Sequence, residues 1–207
     1  MGKSIDDLIK RVGGRVPPEA NKYLGSEDVG GMTGPLRFAG LARNVLYKTV
    51  ARGLKRKQKL NLAKELRGIP QKELDRIKSI KTEKLAPGVQ AKMSPAGHLA
   101  KDLTVSSKKR IRKIPGTLSH ETAHASYWDL SKESIKGLAR ETKGLSKRAV
   151  KSLEKKSGVK GMRSPQERFA ESSAQQNLKS VGLKSKEKVF PPYVRELTKR
   201  AKKKGRI

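Results

Sequence analysis

The stretch Gly116–Leu130, GTLSHETAHASYWDL, sets His120, Glu121 and His124 within five residues of a chain that has 3 histidines. Pro115-Gly116 ends whatever precedes, and Thr117 is a suitable N-cap, so the spacing predicts a helix that carries all three. On a helix, residues four apart lie one turn apart on one face, and two imidazoles there can grip one ion together. Glu121 falls a residue further round, beside such an ion rather than on it. From there its carboxylate can take a proton from a metal-bound water and hand it to a leaving amine, which is the physical logic of the His-Glu-x-x-His spacing.

A catalytic zinc takes three protein ligands and leaves one position for water. The chain has no cysteine, and its remaining histidine, His98, lies upstream, so the third ligand is expected to be an acid. Ser164–Ala174, SPQERFAESSA, supplies Glu167 and Glu171 one helical turn apart. One of the two can bind the metal while the other holds a ligand histidine in orientation. The segment also has a clear helix start. Ser164 is the N-cap, Pro165 takes the first helical position, and Glu167 completes a capping box that competes for its carboxylate.

HETAH followed by ERFAE resembles the gluzincin group of zinc metallopeptidases. The Glu-x-x-Ala-Glu form is similar to the catalytic domain of anthrax lethal factor and to small bacterial and phage zincins. The resemblance implies Zn2+ held by His120, His124 and Glu167, with Glu171 as the supporting acid. It implies Glu121 as general base and then general acid in hydrolysis of a protein or peptide substrate. It covers about residues 88–198 and implies an α+β, mostly helical zincin-like domain with a small edge sheet. Tyr193, in PPYVREL, is a candidate for stabilising the oxyanion. His98 is read as a surface or packing residue, and Tyr127 and Trp128 as packing the active helix.

Around this centre the chain divides into a Gly/Pro-broken arm (1–54), a basic helical region (55–86), the zincin-like domain (87–198) and a basic tail (199–207). In the arm, short helices are expected at Ser4–Val12 and Leu36–Leu54, with no strand pattern. LNLAKELRGI and QKELDRIKSI place apolar residues at three- and four-residue steps and read as two helices, broken at Gly68-Ile69-Pro70. HLAKDLTVS reads as a strand or short hairpin turning at Lys101-Asp102, and KRIRKI as a short edge segment. Ser131 to Gly161 reads as a lysine-rich connection, and the sequence after Pro191-Pro192 as a last helix.

Lysine and arginine number 50 against 19 acids, a formal net charge of +31. That excess attracts polyanions at long range, and the runs GLKRKQK, SKKRIRK and KRAKKKGRI predict nonspecific contact with nucleic acid or another polyanion. The few aromatic residues argue against base stacking. No apolar run approaches the ~18 residues that span a bilayer, and MGKSIDDLIKRVGG lacks the apolar core of a signal peptide. The expectation is a soluble protein, cytoplasmic or virion-associated. The alternative to the peptidase is a non-catalytic basic nucleic-acid-binding or virion structural protein that keeps a zincin-like fold.

Overall fold

A computed structural model describes residues 3–4, 35–51, 54–86, 91–96, 100–106, 116–128 and 130–204. The fold is α+β, mostly helical with a small sheet. Strands β1 (Lys3–Ser4), β2 (Ile77–Glu83), β3 (Ala91–Ala96) and β4 (Ala100–Ser106) form one sheet in the order β1-β2-β4-β3. The β2–β4 pair is parallel and the outer two pairs are antiparallel. Helices α1 (Pro35–Val50), α2 (Arg56–Gly68) and α3 (Gln71–Leu74) precede β2. After the sheet come α4 (Thr117–Tyr127), α5 (Lys132–Lys143), α6 (Lys147–Ser157), α7 (Pro165–Ser180), a 3-10 turn (Glu187–Val189) and α8 (Pro192–Lys204).

Several expectations need correction. QKELDRIKSI is not one helix: α3 ends at Leu74 and β2 begins at Ile77. Leu74, Ile77 and Ile80 recur every third residue, which mimics a helical period. A bulge between Ile77 and Ser79 inserts one residue, and Ile77 and Ile80 are both buried despite an odd spacing on a strand. Lys101 and Asp102 do not turn either. Strand β4 runs straight through them, and its hairpin partner is β3, AKMSPA, where Pro95 hid the strand signal. Pro95 sits two residues from Met93, whose N–H leaves the sheet, so its own nitrogen faces the open edge and removes no ladder bond. The arm contributes a two-residue strand, β1, where none was expected. The connection from Ser131 to Gly161 folds into α5 and α6, capped by Ser131 and Ser146, whose hydroxyls accept from Ser134 N (3.2 Å) and Ala149 N (3.1 Å). Their lysines obscured an ordinary amphipathic pattern. His98, KRIRKI and the Ser4–Val12 helix fall outside the described residues apart from Ser4.

One core joins α1 (Val45, Leu46), α2 (Leu62, Leu66), the sheet (Ile80, Leu103, Val105) and Leu118 of α4. Helix α7 is the central element. Every residue from Arg168 to Leu178 is buried, because α2, α4, α5 and α8 all pack on it. A second cluster, Leu138, Phe169 and Val194, ties α5, α7 and α8, and Tyr127 packs against it. Among the described residues, no helix is long and apolar enough to cross a membrane.

Candidate metal centre

Helix α4 starts at Gly116, whose φ of 123° is open to glycine and strained for other residues. The sequence pointed to Thr117 as N-cap, but Thr117 is the first helical residue and no side chain within the segment caps it. The cap comes from α2. The buried Glu65 carboxylate accepts from Gly116 N and from Ser119 N, each at 2.9 Å. Burial pushes the Glu65 carboxyl up, against the stabilising N–H groups of Ser119 and Gly116. A second buried acid, Glu73 of α3, accepts from Thr122 Oγ1 (3.2 Å) and Ser126 Oγ (2.9 Å) further along the same helix. Two carboxylates from the region read as basic helices thus fix the position of α4.

On α4, His120 and His124 point toward α7, their rings edge to face with centroids 5.0 Å apart. Glu167 meets both: its Oε2 lies 3.1 Å from His120 Nε2 and its Oε1 3.6 Å from His124 Nε2. Each of these three residues offers a ligand atom, and the three atoms all lie within 4.8 Å of one another, close enough to hold a metal ion. Ser164 Oγ accepts from Glu167 N at 3.5 Å, so the N-cap forms as expected. The Glu167 carboxylate turns to the histidines instead of closing the capping box.

Glu171, one turn along α7, accepts from His120 Nδ1 at 2.9 Å. A carboxylate can only accept, so Nδ1 carries the hydrogen and Nε2 is the ring atom directed at the metal position. Gln175 Nε2 donates to Glu171 Oε1 at 2.7 Å, and Gln175 Oε1 in turn accepts from Lys186 N at 2.6 Å. His120 is therefore oriented by a chain of hydrogen bonds anchored on the backbone. The His124 Nδ1 atom is buried without a hydrogen-bond partner. That ring is placed by packing on His120 and on Trp128, 6.3 Å away.

The charges follow from this geometry. Burial disfavours charge on His120, but hydrogen bonds to Glu167 and Glu171 and the nearby Glu121 outweigh it and raise its pKa to about 10. His124, desolvated and next to that cation, is pushed down to about 4. Glu167, though partly desolvated, is held below the usual carboxylate range by His120 and His124. Two imidazoles and a carboxylate with one charge-oriented ring are a donor set that suits zinc.

Glu121 lies close enough to His120 and Glu167 to feel their charges, and its Oε2 accepts from Met93 N of the edge strand at 2.9 Å. Burial raises its pKa to about 7, opposed by His120 and the Met93 N–H. Tyr193 is set over Gly137 of α5 and is 44% exposed, with no hydrogen bond to the triad. Sequence reasoning missed Glu65, Glu73, Gln175 and the Met93 amide. For Glu65 a signal existed, since it stands three residues from Leu62 and borders the apolar stripe of α2. No known family profile, no curated protein and no solved structure matches this chain.

Proposed function

We propose that the protein is a zinc-dependent metallopeptidase with a zincin-like fold of the gluzincin type. The observation that carries this reading is the convergence of His120, His124 and Glu167, with Glu121 at the adjoining sheet edge and Glu171 behind His120. His120, His124 and Glu167 would hold the ion, and Glu171 would keep His120 in the ligating tautomer. Zinc, when bound, supplies Lewis acidity toward a carbonyl oxygen and lowers the pKa of water. Glu121 accepts the proton from the attacking water and delivers it to the departing amine nitrogen. A carboxyl with a pKa of about 7 suits a group that must both take and give a proton near neutrality. The Met93 amide fixes the rotamer from which it does so.

Two measurements test this in order. Dialysed protein should retain about one zinc per chain; protein that stays metal-free in micromolar zinc would sink the reading. Glu121→Gln should keep the zinc and the fold while peptide hydrolysis falls by at least ~10²-fold. Equal inertness of wild type and Glu121→Gln on a peptide library would favour the non-catalytic alternative.

A further inference from the structure

The segment between the two halves of the metal centre carries a second surface. Residues 132–163 hold eleven lysines and arginines and three acids. All eleven cations are exposed. Two of the three acids are turned inward: Glu141 lies 3.8 Å from the buried Arg168 guanidinium, and Glu154 accepts from Gly161 N and Met162 N. The outer face thus keeps its cations and loses most of its neutralising acids.

The cations are arranged in stripes. On α5, Lys132, Lys136, Arg140 and Lys143 follow four- and three-residue steps and fall within an arc of about 80°. The buried Leu138 lies on the opposite side. On α6, Lys147, Lys151 and Lys155 repeat the pattern, with Val150 and Ser157 buried to one side of them. The steps set charges about 5–6 Å apart on rigid helices, each held by a serine cap and a packed underside.

We infer that the α5–α6 face is a docking surface for the phosphate backbone of double-stranded DNA, bound without regard to sequence. Charge complementarity selects the partner: duplex DNA carries one negative charge per ~1.7 Å of axis, and stripes of cations release its counterions. Residues 131–163 include no aromatic residue, so base stacking on single strands has no platform. No large apolar side chain is exposed on these helices, so nothing is there to enter a membrane. Duplex RNA is recognised largely through its 2′-hydroxyls and shape, whereas the stripes present ammonium and guanidinium heads.

The experiment is fluorescence anisotropy of a labelled 20-base-pair DNA duplex with the full chain, titrated across salt. The variant K136Q/R140Q/K151Q/K155Q removes four stripe cations. The control K57Q/K72Q/K84Q/K92Q removes four exposed lysines from the part of the fold before α4. The stripe variant should weaken binding by roughly 10²–10³-fold near 0.1 M salt and flatten the log K against log salt slope by about 3.6, about 0.9 for each of the four contacts. The control should stay within about threefold to tenfold of wild type, as expected of charge acting at a distance. Thermal melting checks that both fold. Equal losses in the two variants would overturn the inference in favour of bulk charge. So would equal or tighter binding to single-stranded DNA, to duplex RNA or to anionic vesicles.

Discussion

Glu65→Ala should damage the protein out of proportion to the exposure of the residue, which is nil. The carboxylate is the cap of α4 from outside the helix, and its loss strands the Gly116 and Ser119 N–H groups, both now bonded at 2.9 Å. A buried donor left without a partner costs about 1–3 kcal/mol. Part of this is offset because the desolvated charge disappears too. The net expectation is a loss of about 2–4 kcal/mol, above the ~2 kcal/mol that a single cap contributes, because two amides lose their partner. Glu65→Gln keeps the shape and one acceptor oxygen, and should lose about 1–2 kcal/mol. Urea unfolding of the zinc-free protein measures both, with an unchanged slope expected because the exposed surface is the same. Because Ser119 directly precedes His120, fraying of that first turn should also weaken zinc binding about tenfold in Glu65→Ala. A stability loss below about 0.5 kcal/mol would refute the argument, since the buried Ser119 amide and the half-buried Gly116 amide cannot both be stranded so cheaply.

Gly116→Ala should cost about 1–2 kcal/mol from backbone strain alone, because the φ of 123° excludes a Cβ comfortably while the space around it does not; urea unfolding reads this directly. Glu167→Gln should abolish stoichiometric zinc in elemental analysis, whereas Glu171→Gln should retain it with ~10–100-fold weaker affinity. The reverse order would assign the ligand to Glu171. Zinc must also displace a proton from His120, whose pKa is raised to about 10 in the metal-free protein. Affinity should therefore rise about tenfold per pH unit through neutrality, and flatten only above that value. Calorimetry in two buffers of different ionisation enthalpy at pH 7.5 should find at least about one proton released per zinc, and none would contradict the His120 charge state.

The helix faces of the centre were legible because both depend on local spacing. His120 and His124 are four apart, as are Glu167 and Glu171, and Ser164-Pro165 marks where α7 starts. Nothing local could reveal that α4 borrows its cap from Glu65, 51 residues upstream of Gly116. The sheet was hard to read for a different reason. The bulge at Ile77/Ser79 gives β2 a three-residue apolar spacing, and Pro95 at an open edge looks like a strand breaker. In α5 and α6 lysine stems cover the helix surface, so that the apolar stripe of Ile135 and Leu138 is short and the charge dominates the reading.

The residues that could hold a metal come from two helices separated by the whole of α5 and α6. His124 and Glu167 are 43 positions apart. An ion bound by both closes that length of chain into a ring, as a disulfide would, in a protein with no cysteine. Because the site exists only in the folded chain, the ion stabilises it by mass action, about 4 kcal/mol at a free concentration about 1,000 times its Kd. Loss of the ion would then shorten the lifetime of the folded chain as well as idle its centre. Chelation would work as a release catch, emptying the site and leaving the chain susceptible to degradation in a single step.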